Sequence, residues 1–281
     1  MRILIRTSRW AIWARRLGAF ALPLTLVPIL MHRANAIPSG TFEIVELVAV
    51  AVAAMALVAS LVGFSRLWTT GDLGWGRAIT GLLFGLVCLA PAGLWTYESF
   101  RYPAVSELTT DASAPLPLVT ETGSTAAGTA TGQRLAAVFP GIRTRNYPLR
   151  VRQTFDIVDK LVTERGWDVR LKRAPTSALG GGQINAVATN LFGFRDEVSL
   201  RLTGSTDGTS VDMRSVAQSP VVEPGVNGRR VEEFLAALDA RVTLLLRDQP
   251  AGTLADDTET DAEPAAPAAP TPAPAPRGRK R

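Results

Sequence analysis

Hydrophobic and polar positions divide this chain into three regimes. Residues 17–97 are dominated by Leu, Ala, Val, Ile and Gly with few charges, residues 133–248 mix polar and apolar positions as a folded domain does, and the stretch from Gln249 onward is polar and rich in Pro and Ala. Within the first regime, Ile44–Phe64 is a nearly unbroken apolar run of 21 residues and Ala78–Tyr97 one of 20. At 1.5 Å per residue, helices of that length match a hydrocarbon core of about 30 Å. Trp75, Trp95 and Tyr97 fall at the ends of the second run, where amphipathic rings favour the interface. Leu17–Met31 is shorter and carries Pro23 and Pro28, so it spans only if flanking Arg15, Arg16 and Arg33 reach outward along the lipid. Ala34-Asn35-Ala36 behind it has the form of a signal-peptidase site, and the alternative of a cleaved leader stays open.

The period then changes. Residues 98–132 show neither a twofold nor a 3.6-residue repeat and read as an extended linker. From 133 to 248 the order is helix, four strands, helix. Leu149, Phe155, Val158, Leu161 and Val162 share one helical face before Gly166; strand patterns follow at Trp167–Leu171, Gln183–Leu191, Phe194–Thr203 and Ser210–Val216; Phe234, Leu235, Leu238, Val242 and Leu245 return to helical spacing. The expected fold is therefore a three-span helical anchor (about 17–31, 44–64 and 78–97) plus a small α+β domain, a four-stranded, mainly antiparallel sheet covered by two helices. Residues 249–281 run from an acidic block through Pro-Ala repeats to Arg277-Gly278-Arg279-Lys280-Arg281, too polar to bury a core and expected to be disordered.

Charge fixes an expected topology. Arg2, Arg6, Arg9, Arg15 and Arg16 precede the first run and Arg66 and Arg77 separate the second from the third, whereas only Arg33 and Arg101 flank the other side. The positive-inside rule then puts residues 1–16 in the cytoplasm and the folded domain in the periplasm, as for a multi-pass protein of the bacterial inner membrane. The formal charge of +5 thus reflects topology and tail, and no nucleic-acid partner is expected.

The single Cys and the single His, Cys88 and His32, both lie in the apolar third. The folded domain consequently lacks disulfides, thiol nucleophiles, imidazole bases and ordinary zinc ligands, and neither metal nor cofactor is expected. Glu43 and Glu46, a turn apart at the start of the second run, read as interfacial helix-start acids.

Three segments, INAVATNLFGFRDEVSLRL, DGTSVDMRSVAQ and GVNGRRVEEFL, resemble the bacterial domain-of-unknown-function family numbered 1499. Tyr102–Asp111, YPAVSELTTD, is similar to the segment preceding that domain in its membrane-anchored members. The chain departs from the pattern after Ser215, where the family continues with an Arg and this chain reads Val-Ala-Gln-Ser-Pro. The resemblance implies no biochemical activity.

A turn at Asp207-Gly208 sets Leu202 opposite Met213, Leu200 opposite Ser215 and Arg201 opposite Arg214, with Val198, Leu200 and Leu202 facing the core. Two facing guanidinium groups call for an anion or carboxylates between them. Either Asp196, Glu197 and Asp212 form an ion-pair lattice with them, or Arg201 and Arg214, joined by Asn227, Arg229 and Arg230, grip an anionic ligand. The function expected is a membrane-tethered envelope binding or scaffold module, with the bilayer and an anionic envelope ligand or envelope protein as partners. The alternative is a carboxylate-based envelope hydrolase, disfavoured because adjacent Asp196 and Glu197 point to opposite faces of a strand.

Overall fold

The computed structural model describes residues 6–114, 116–119, 137–219 and 223–248. Three helices come first: α1 (Arg9–Arg33), α2 (Ser39–Thr70) and α3 (Trp75–Arg101), each long and apolar enough to cross a membrane. Small residues let them approach. Ala14 and Gly18 on α1 meet Gly81 on α3 so closely that a Cβ on Gly81 would lie 2.6 Å from the Ala14 carbonyl oxygen. Gly81 and Gly85 form a Gly-x-x-x-Gly pair, while Ala49, Ala53 and Ala56 supply the matching stripe on α2. Leu26, Leu30, Ile44, Leu47, Leu83 and Leu94 point outward, the arrangement expected of helices solvated by lipid rather than water. Pro23 and Pro28 stand inside α1 without ending it.

The remaining elements form one antiparallel sheet and two helices: β1 (Glu107–Thr109), β2 (Arg145–Tyr147), α4 (Val151–Glu164), β3 (Asp168–Arg173), β4 (Gly181–Thr189), β5 (Arg195–Ser205), β6 (Gly208–Ala217) and α5 (Val226–Asp248). The order is β1-β6-β5-β4-β3, with β2 also on the free edge of β6. Six strands replace the four expected. The additional two have three residues each, too few to show alternation, and they exist because β6 is long enough to template both, β1 on residues 214–216 and β2 on residues 209–211. Since β1 lies within 98–132, that segment is not simply a linker. Val105, Leu108 and Leu116 are buried, and residues up to Val119 run across the sheet.

The hairpin register differs as well. Ser205 pairs with Gly208 around Thr206-Asp207, so Leu200 faces Met213, Leu202 faces Val211 and Arg201 faces Asp212, not Arg214. Gly208, at φ 142°, is a strand residue rather than a turn residue. A Cβ there would run into the Tyr147 carbonyl, so the glycine serves the close passage of β2. A shift of two positions leaves every side chain on its expected face, which is why the apolar assignment survives the change. Ile184, Ala186, Val198, Leu200, Leu202, Val211 and Met213 form that face. Phe155, Val158 and Val162 of α4 and Phe234, Leu235 and Leu238 of α5 complete the buried core, and Trp167 stacks on Phe234. The acidic and basic tail falls outside the described residues.

Candidate functional site

The other face of the sheet is polar and also buried. Asn185, Glu197, Ser199, Arg201, Asp212 and Arg214 alternate with the core residues, and period-two geometry puts them together. Across them lie residues 111–114 and 116–119. The Ala114 carbonyl accepts from Arg201 at 3.0 Å, and the Pro117 carbonyl accepts from Asn185 at 2.9 Å and Ser199 at 3.0 Å. The Leu116 carbonyl accepts from Arg214, and Glu197 accepts from the Val119 amide. Leu116 itself is fully buried. The crossing strap therefore satisfies its own backbone with side chains of the sheet.

Carboxylates fill the gaps between the two arginines. Arg201 lies 2.8 Å from Asp111 and 3.0 Å from Asp212, and Arg214 lies 2.8 Å from Glu107. Asp212 also accepts from Thr110 and Thr144. Hydrogen bonds from Ser113, and then from Ala114 and Arg201, hold Asp111 below the usual carboxylate range, at about 2. Of the acids expected beside these arginines, Asp212 pairs with one of them; Asp111 and Glu107 supply the other pairs, with Arg201 and Asp111 half-buried and Arg214 and Asp212 almost wholly covered.

Asn227, Arg230 and Asp196 belong to a second network on the helical face. Asn227 accepts from Ser215 at 2.8 Å and from Arg230 at 2.9 Å, and donates to the Val105 carbonyl. Arg230 lies 2.6 Å from Asp196. Burial pushes the Asp196 carboxyl up against the opposing pull of Arg230, and burial likewise raises Glu223, helped by the charge of Asp196. Glu223 accepts from the Asn190 side chain. Gly228 follows Asn227 with no side chain because the ring of Phe139 occupies that space.

Arg229 goes to neither network. It lies 2.6 Å from Glu98 at the end of α3 and 5.1 Å over the ring of Tyr102. The five residues expected to surround one anion are thus divided among the polar face (Arg201, Arg214), the helical face (Asn227, Arg230) and the junction with the bundle (Arg229). Of the supporting acids, Glu197 and Asp212 join the first and Asp196 the second. Adjacent numbers and a shared charge carry no information about which side of a sheet a residue reaches, and for Arg229 and Arg230 the helix turns them apart.

That junction is where sequence reading was blind. At the end of the bundle where α1 finishes and α2 begins, His32 sits between Phe42, with ring centres 4.6 Å apart, and Phe194, at 5.0 Å. Its Nδ1 lies 2.8 Å from the Phe192 carbonyl, which can only accept, so this nitrogen carries the proton. Nε2 lies 3.1 Å from the Ser39 hydroxyl. Arg33 donates to the carbonyls of Asn190 and Leu191. Gly193, at φ 92°, passes so close that a Cβ would lie 2.7 Å from Arg33 Cα. The single histidine, in sequence merely the edge of an apolar run, thereby fastens the bundle to the β4–β5 loop. Among the described residues no three His, Cys, Asp or Glu side chains are grouped to hold a metal ion.

Residues 107–238 match the family described as Protein of unknown function (DUF1499). The match begins at the first residue of β1 and ends within α5, so the strap lies inside the matched residues and the three helices outside them. No curated protein and no solved structure matches the chain.

Proposed function

We propose that the protein is a membrane-tethered binding or scaffold module of the bacterial envelope. In this reading its helices span the inner membrane, its amino terminus is cytoplasmic and its sheet domain is held at the periplasmic surface. The observation that carries this reading is the fastening of the sheet domain to one end of the bundle through His32, Arg33, Glu98 and Tyr102. A domain on a free tether samples a volume; one clamped at four points presents fixed surfaces to whatever lies at the membrane. The arginine asymmetry along the chain supplies the orientation.

Two measurements test it. A periplasm-dependent phosphatase fused after Leu246 is expected to be active in cells; activity only of a cytosol-dependent reporter there overturns the topology. Affinity purification of the intact chain from detergent-solubilised membranes, with and without residues 249–281, is expected to recover a stoichiometric envelope partner. Recovery of the chain alone under both conditions overturns the binding reading.

One observation favours the alternative of a carboxylate-based hydrolase. Asp196 and Glu223 are both pushed towards protonation, and each feels the charge of Arg230. Asp196→Asn separates the readings, since it abolishes hydrolysis but leaves partner recovery intact in a binding module.

A further inference from the structure

Beside the His32 clamp lies a cleft of about 410 Å³, within the size range of small-ligand sites, lined by His32, Asn35, Ser39, Arg195, Gln218 and Ser219 among others. Arg195 differs from three other arginines of the domain. Arg201, Arg214 and Arg230 each have a carboxylate within 3.0 Å, whereas the Arg195 guanidinium has no hydrogen bond or ion pair among the described residues. Arg33, alongside, is bonded among the described residues only to carbonyl oxygens. The acids at this end are committed elsewhere: Glu223 to Asn190 and Asp196 to Arg230. Glu43 and Glu46 lie further along α2, beyond Phe42. Arg195 makes the lining of the cleft cationic, and the Asn35 amide in the same lining can donate. The first turn of α2, which has Pro38 at its cap and no side chain capping it, adds unpaired amides at Ser39.

Position selects the anion. The cleft sits where α1 ends and α2 starts, and the exposed side chains just below it on those helices are Leu30, Met31, Ile44 and Leu47. Resting on the reading that these helices span the bilayer, the cleft falls in the headgroup layer that flanks the hydrocarbon core. We propose that it holds the phosphate of an anionic phospholipid, with Arg195 as the bidentate donor and the acyl chains lying along the α1–α2 surface.

The test uses the full chain in a neutral detergent, offered equimolar phosphatidylglycerol and phosphatidylcholine and examined by native mass spectrometry and thermal unfolding. The expected result is retention of phosphatidylglycerol over phosphatidylcholine by about tenfold, the effect of one charge-assisted contact, together with a rise in Tm. Arg195→Gln, which breaks no side-chain bond to a described residue, is expected to abolish the preference while leaving the lipid-free Tm in place. Arg170→Gln, at an exposed ion pair on β3, should keep it. Equal retention of the two lipids by the unaltered chain overturns the proposal, whether or not the variant folds. So does an undiminished preference in Arg195→Gln. Inorganic phosphate stabilising the chain as strongly as phosphatidylglycerol replaces the lipid with a free anion and overturns it too. None of these outcomes bears on whether a protein partner co-purifies, so failure here is distinct from failure of the scaffold reading.

Discussion

Both faces of the sheet are buried, but opposite chemistry buries them. Under α4 and α5, Val198, Leu200, Leu202, Val211 and Met213 are covered mainly by apolar side chains, beside the polar network of Ser215, Asn227, Arg230 and Asp196. On the reverse face, Asn185, Glu197, Ser199, Arg201 and Arg214 are covered by main chain, each through a specified hydrogen bond to Ala114, Leu116, Pro117 or Val119. Hydrophobic burial is non-directional and tolerates rearrangement; a buried polar group costs free energy unless its partner is in place. The helical face therefore supplies bulk stability, and the strap face dictates one path for the segment leading from the bundle. This also explains why charged residues that look available on a strand are not: a guanidinium is buried only where acceptors already await it.

The largest expected effect comes from breaking the polar face. Arg214→Ala strands Glu107 and the Leu116 carbonyl, and it should cost about 3–5 kcal/mol, the scale of a broken buried ion pair. Denaturant titration of the intact chain in mild detergent measures it. A loss below about 1 kcal/mol, typical of an exposed pair, would mean that water reaches this face.

Leu200→Ala probes the other face at about 2–5 kcal/mol through lost burial and a cavity. Combined with Arg214→Ala it tests coupling, since side chains on opposite faces of β5 and β6 share no partner and their losses should add within about 0.5 kcal/mol. Asn185→Ala follows at about 1–3 kcal/mol, because it leaves the Pro117 carbonyl with one donor and removes a contact to Glu197.

The two faces should also respond to acid with opposite sign. Asp111, held at about 2 by Ser113 and its neighbours, contributes stability present above the unfolded value near 3.9 and lost as pH falls towards 2. Asp196 is raised by burial, so its contribution is full below that unfolded value and declines as pH rises through its folded one. Asp111→Asn should flatten the acid limb of the stability profile and Asp196→Asn the opposite limb; equal flattening of one limb by both would contradict the contrast. Smallest of all is Lys172→Ala, at an exposed pair with Asp159, expected within about 1 kcal/mol of the parent.

Periodicity alone revealed the helices, the four longer strands and the apolar face of β5. It could not reveal β1 and β2, whose three-residue lengths carry no period, or the strap, whose order comes from sheet side chains and not from its own composition. The hairpin illustrates the boundary. Asp207-Gly208 reads locally as a turn, but passage of Tyr147 beside Gly208 moves the turn back by one residue and brings Asp212, not Arg214, opposite Arg201. The segment at 227–230 looked like one site because its residues are adjacent, but the helix carrying it keeps Asn227 and Arg230 together on Ser215 and turns Arg229 away to Glu98.

What the sequence determined by itself was whatever depends on neighbours along the chain: three apolar lengths matched to a bilayer, the charge asymmetry around them, and a folded part without thiol or imidazole. Which charges are neutralised and what the lone histidine holds were decided only in the tertiary structure. Electrostatic partners are chosen by distance in space, and residues such as His32 and Phe192, or Arg201 and Asp111, come within reach only after the chain has closed on itself.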